Sequence, residues 1–205
     1  MRAPWLLLPA ALGLGCYTNP LLQSVTSDYA PSKSGSQWVY VVHGPLVDIG
    51  MTRTLLDRGA YFGRQADHYG RTYTSLLPAQ DEYLASGSAT ALDQYSASQA
   101  KWIPYRRLPY VSGNRWPLDS TTPNVSFEMR VEGFENVRVP AGSFDNCYKL
   151  KVISNTYDPA TGVTSTADSS LTWAAPSVGD VKGASVGLSG TVTVTLELTS
   201  YKLAP

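Results

Sequence analysis

The chain has 205 residues, of which 43% are hydrophobic, 11% aromatic and only 16% charged. That composition can bury one sizeable core and is too rich in aromatics for a disordered polymer. Sixteen Lys and Arg balance sixteen Asp and Glu, so no net field exists to draw in nucleic acid or an anionic bilayer, and nucleic acid is not expected as a partner.

In chain order, Arg2 precedes an apolar run from Trp5 to Leu14 that stops at Gly15-Cys16. A membrane-crossing helix needs about 20 apolar residues. This run has roughly half that length and the layout of a secretory signal, which predicts that residues 1–15 are a signal peptide removed on export. Leu12-Gly13-Leu14-Gly15-Cys16 resembles the lipobox of bacterial lipoproteins, with Gly before the Cys and with Gly13 standing where a Leu is usual. The resemblance implies that Cys16 becomes an acylated N-terminus and that the membrane is a partner through this lipid. Each buried methylene adds about 0.8 kcal/mol, so several acyl chains anchor permanently. Tyr17 in place of Asp after Cys16 is similar to lipoproteins allowed to reach an outer membrane. The location implied is the cell envelope, facing the periplasm or the exterior. The alternative is a free secreted protein with a bridge between Cys16 and Cys147. If Cys16 is acylated, Cys147 beside Tyr148 is expected to be a small buried hydrophobe.

Residues 16–34 read as the lipidated N-terminus and a tether, and residues 35–205 as one β-rich domain. Trp38-Val39-Tyr40-Val41-Val42, bounded by Gly35 and by Gly44-Pro45, predicts the first strand. Further strands are expected over 51–56, 70–77, 125–131, 148–155, 163–173 and 191–203. Stretch 78–100 is the one place where short helices are allowed for. Asp158-Pro159-Ala160-Thr161-Gly162 predicts a hairpin turn. In the last strand, Val192, Val194, Leu196 and Leu198 fall on alternate positions, the pattern of an antiparallel sheet with one wet face. The fold class is therefore all-β, with a single antiparallel sheet curling into a barrel or half-barrel so as to hide its edges, or alternatively a β-sandwich.

The segment from Lys101 to Trp116 carries four basic residues and no acid. It is the candidate ligand or partner loop, with Lys101, Trp102, Tyr105, Arg106, Arg107, Tyr110, Arg115 and Trp116 as its residues. Arginine beside flat aromatics can clamp a carboxylate, a phosphate or a sugar ring. The plainer alternative is a Pro-braced loop in which Trp102 and Trp116 cap a barrel end and the arginines stay solvated. On the binding reading Arg106 and Arg107 are expected to tolerate Ala without loss of folding while the set of captured partners changes.

Gly183-Ala184-Ser185-Val186-Gly187 spells the pattern of a nucleophile elbow, but a strand rather than a helix is expected after it. A triad would have to recruit His43 or His68, with Asp67 or Asp180, and no spacing favours that. Two distant histidines do not make a zinc site. Calcium could be sought only at Asp81-Glu82 or at the Asp158 turn, which lack a ligand ladder. No phosphate-binding glycine loop occurs, and no cofactor is expected.

Three segments resemble one family, bacterial lipoproteins and periplasmic proteins that share a β-barrel-like domain. They are Tyr29-Ala30-Pro31 with Gly35-Ser36-Gln37-Trp38-Val39-Tyr40, then Val139-Pro140-Ala141-Gly142-Ser143-Phe144-Asp145-Asn146-Cys147, then Trp173-Ala174-Ala175-Pro176-Ser177-Val178-Gly179-Asp180-Val181-Lys182. The last departs from the family's pattern at Ser177 and Asp180. The resemblance implies fold and location and brings no catalytic residue. Physically, Pro140 and Gly142 shape a turn, Phe144 fills the core, and Trp173 with Pro176 packs a sheet corner. The function expected is that of a non-enzymatic envelope lipoprotein binding a partner protein, a wall polysaccharide or an apolar ligand. The alternatives are a secreted serine hydrolase using Ser185 and a purely structural envelope component.

Overall fold

The computed structural model describes residues 29–31, 33–118, 120, 122–187 and 191–205. The predicted signal peptide, Cys16 and most of the tether lie outside the described residues. The rest forms β1 (Gln37–His43), β2 (Asp48–Tyr61), β3 (Arg64–Tyr73), β4 (Gln80–Ser88), β5 (Ala91–Ser96) and β6 (Lys101–Arg107). These are followed by β7 (Arg115–Leu118), β8 (Val125–Val139), β9 (Gly142–Asp158), β10 (Val163–Ala175), β11 (Gly179–Val186) and β12 (Val192–Lys202).

All twelve strands belong to one sheet in the order β6-β5-β4-β3-β2-β1-β12-β11-β10-β9-β8-β7. Each is antiparallel to its neighbours, and the first strand pairs with the last through Trp38 opposite Tyr201 and Val42 opposite Leu196. The sheet curls into a nearly closed barrel, the first of the two architectures expected from the need to hide sheet edges, and the single sheet rules out a two-sheet sandwich. One seam stays unsealed. The strands β6 and β7 are consecutive in the chain yet stand at the two ends of the sheet. Each of them contains a proline, Pro104 and Pro117. Proline has no N–H to give to a ladder and is confined to sheet edges, so the two seam strands are built not to pair.

Two expectations are corrected. The stretch 78–100 holds no helix among its residues but the strands β4 and β5. In β4 the buried Glu82 and Leu84 alternate with Tyr83, a period of two that long-range pairing with β3 and β5 enforces over weak local preference. The segment 101–116 is not a loop either, since Lys101–Arg107 and Arg115–Leu118 are strands and only residues 108–114 connect them.

The main core holds Trp38 and Tyr40 of β1, Met51 and Leu55 of β2, Tyr69 of β3, Val181 of β11 and Leu198 of β12. Burying such side chains contributes about 1.5–3 kcal/mol each. Gly142, with φ of 136°, opens β9 after the turn at Pro140-Ala141. This β8–β9 hairpin lays Val137, Val139 and Cys147 on that core, with Phe144 packed at its margin. The first and third family-like segments meet here, because the Trp38 indole donates to the Val178 carbonyl at 2.8 Å and the Tyr40 hydroxyl to the Asp180 carbonyl at 2.9 Å.

A second cluster beside the seam contains Tyr110, Trp116, Met129, Val131, Tyr148 and Leu150. Tyr29 belongs to it, with its ring centroid 4.9 Å from that of Tyr110 and 5.6 Å from that of Tyr148. Tyr29, which the sequence reading places in the tether, thus packs against the barrel.

Candidate functional site

The chemistry of the barrel interior starts from a β-bulge. Arg106 pairs with Leu92 and Pro104 with Asp93, which leaves Tyr105 as an extra residue in β6. A bulge breaks the side-chain alternation, and the adjacent Tyr105 and Arg106 both reach the interior. Arg106 is 6% exposed. Its Nη2 donates to Asp180 Oδ1 at 2.8 Å and to the Tyr105 hydroxyl at 3.2 Å, and that hydroxyl donates to Asp180 Oδ2 at 3.3 Å. Asp180 is aimed by a second bulge, in which Trp173 pairs with Lys182 but Ala174 pairs with Asp180, leaving Val181 over.

A second ionic group lies deeper. Arg53 Nε donates to Glu82 Oε2 at 2.9 Å and Arg71 Nη2 to the same oxygen at 2.7 Å. The Arg53 guanidinium also sits over Tyr69, 3.8 Å from the ring centroid. Burial by itself would raise the Glu82 carboxyl, but the charges and hydrogen bonds of Arg53 and Arg71 outweigh it and hold Glu82 below the ordinary carboxylate range. Burial pushes the phenols of Tyr40, Tyr69 and Tyr105 up, so they remain neutral donors. Buried charges persist only when paired and hydrogen-bonded. This network therefore braces the wall of the barrel.

Tyr105 and Arg106 also line a cleft of about 330 Å³ at the seam. Its walls come from both sides of the gap, with Ile103 and Pro104 of β6 facing Leu118 of β7 and Phe127 and Met129 of β8, and Val152 of β9 behind them. The polar groups at its margin are Gln94, Ser170 and Thr172 together with the Tyr105–Arg106 pair. A largely apolar cleft of this size with few polar groups fits the small-molecule sites of proteins, which run to about 300–1,000 Å³.

The eight residues singled out in the sequence do not form one site. Tyr105, Arg106, Tyr110 and Trp116 lie inside, the last two in the aromatic cluster beside the seam. Arg106 is not solvated, contrary to expectation, because its strand turns it into the barrel. Trp102 is held at the wall by its indole N–H on the Phe62 carbonyl at 3.1 Å, under the Arg64 guanidinium at 4.8 Å. Arg107 pairs with Asp93 at 2.6 Å, Arg115 lies 3.6 Å from Glu128, and Lys101 is exposed at the start of β6. Arg53 and Arg71 were missed, and Glu82 was weighed only as a calcium ligand. The available signal was a charge on the inward step of an apolar alternation, as in Met51-Thr52-Arg53-Thr54-Leu55.

Ser185 sits within β11, opposite Ser170 on one side and Val194 on the other. It is on an extended strand and not on the sharp turn that a nucleophile elbow requires. His43 is 3.0 Å from Asp48, and His68 is 2.9 Å from Asp81. Cys147 is fully buried.

No family model matches the chain, and no curated protein matches it. Two solved structures are similar in fold. One is a protein of Bacteroides fragilis classed as exported, with a YmcC-like fold. It aligns at a TM-score of 0.57 with 15% identity over 85% of this chain and 98% of its own. The other, classed as a lipoprotein of Parabacteroides distasonis, aligns at 0.52 with 16% identity over 84% of this chain and 97% of its own. At that identity the likeness establishes the fold.

Proposed function

We propose that this chain is an exported, lipid-anchored envelope protein that binds an apolar ligand in the cleft at the open seam and performs no catalysis. The observation that carries the reading is the cleft of about 330 Å³ with apolar walls from β6, β7, β8 and β9. The seam prolines favour this over a partner strand that would complete the barrel, since Pro104 and Pro117 interrupt both edges on which such a strand would pair. Export and anchoring rest on the signal-like run 5–14 and on Cys16. The likeness to chains classed as exported and as a lipoprotein supports the same location.

The test is titration of the purified protein with a neutral apolar dye, 1-aminoanthracene. Saturable fluorescence is expected from the wild type and its loss from Ser170→Trp, which fills the cleft from β10. Equal titration of both proteins, or none in either, overturns the ligand reading. Intact mass of the membrane fraction, comparing wild type with Cys16→Ser, tests the anchor separately.

A further inference from the structure

Because every pairing in the sheet is antiparallel, and all but that of β1 with β12 join strands consecutive in the chain, the hairpin turns alternate between the two ends of the barrel. The chain reaches β1 from Tyr29 at one end. The β1–β2 and β3–β4 turns are neighbours at the opposite end, tied together where the Thr74 N–H donates to the Gly50 carbonyl at 2.9 Å. Their tips carry Leu46 and Val47, 96% and 63% exposed, and Leu76 and Leu77, 105% and 50% exposed. Exposed apolar residues continue on the next hairpins at the same end, with Val192 after the β11–β12 turn and Tyr157 and Val163 beside the β9–β10 turn.

Scattered single apolar residues are normal on a surface, but a contiguous set is not. Neither tip carries a charge, for residues 44–47 are Gly-Pro-Leu-Val and residues 74–80 are Thr-Ser-Leu-Leu-Pro-Ala-Gln. The nearest ionisable pair, His43 and Asp48 at 3.0 Å, is matched with itself. We infer that these tips insert into a phospholipid bilayer, at the end of the barrel opposite the one the N-terminal segment joins. The side chains stand on convex turns that project outward. A soft, uncharged phase accommodates such projections, whereas a protein interface would have to supply a complementary pocket for each.

The test uses the full chain with Cys16→Ser and an environment-sensitive dye on Leu76→Cys, Cys147 being buried and out of reach. Phosphatidylcholine vesicles are expected to shift the emission to the blue, and lipids brominated in the acyl chain to quench it. The same dye on Val111→Cys, on the β6–β7 connection at the other end, is expected not to respond. Adding Leu46→Ser to the Leu76-labelled protein should weaken vesicle partitioning about tenfold, the equivalent of losing roughly one buried aliphatic side chain. All these sites are exposed, so folding is preserved. No shift at Leu76, or an equal shift at Val111, overturns the inference. A silent Leu76 label together with tip-dependent cross-linking to an envelope protein would replace the lipid surface with a protein one.

Discussion

Arg106 on β6, a strand at the open seam, is bonded to Asp180 on β11 on the far wall of the barrel, with Nη2 and Oδ1 2.8 Å apart. The pair spans 74 positions of sequence and ties an unpaired edge to the body of the sheet. Breaking a buried pair by removing one partner costs about 3–5 kcal/mol, because the other charge is left desolvated. Arg106→Ala and Asp180→Ala are each expected to lose that much in urea unfolding. The double variant Arg106→Ala/Asp180→Ala should lose much less than the two single losses added together. Additive losses in this cycle would show that the two residues act independently.

The Glu82 carboxyl titrates lower in the folded barrel than in the unfolded chain, where a glutamate sits near about 4.3. Its contribution is therefore complete above that value and is lost as pH falls through the lower folded value. The urea midpoint of the wild type should drop steeply in acid below about pH 4. Glu82→Gln should be less stable at neutral pH and show a flatter acid limb. Identical acid limbs in the two proteins would assign the effect to other carboxylates.

Cys147 has no exposed surface, and burial pushes its thiol up to about 11. Thiolate is the reactive form, so a Cys16→Ser protein should be inert to Ellman's reagent at mildly alkaline pH until it unfolds. Rapid labelling of the native protein would contradict the packing of the β8–β9 hairpin.

Ser177 and Gly179 flank Val178, the acceptor of the Trp38 indole, and both have left-handed backbones, with φ of 62° and 98°. Only Gly179 is a residue suited to that region. Ser177→Gly is expected to stabilise by up to about 1 kcal/mol, as the side chain's conformational penalty is removed. Gly179→Ala should destabilise by about 1–3 kcal/mol, since its new Cβ would lie 3.2 Å from the Tyr29 carbonyl. Thermal melts of the two variants should move in opposite directions.

The all-β class and the antiparallel sheet were legible in the sequence, with barrel and sandwich both left open. Those features follow from alternation and turn chemistry, which act over a few residues, as in Val192 to Leu198 and in Pro140-Ala141-Gly142. It also marked the segment around Arg106 as unusual. That Tyr105 and Arg106 face the interior together could be seen only in the folded barrel, because a bulge is set by the register against β5 and leaves no local trace. Pairing partners such as Asp180 for Arg106, and Arg53 and Arg71 for Glu82, were equally hidden, since charges chosen by spatial proximity across a curved sheet have no fixed spacing along the chain. The strands in 78–100 stayed unread for a related reason. Their residues are weak strand formers alone and take that conformation because neighbours on both sides supply hydrogen bonds and a buried face.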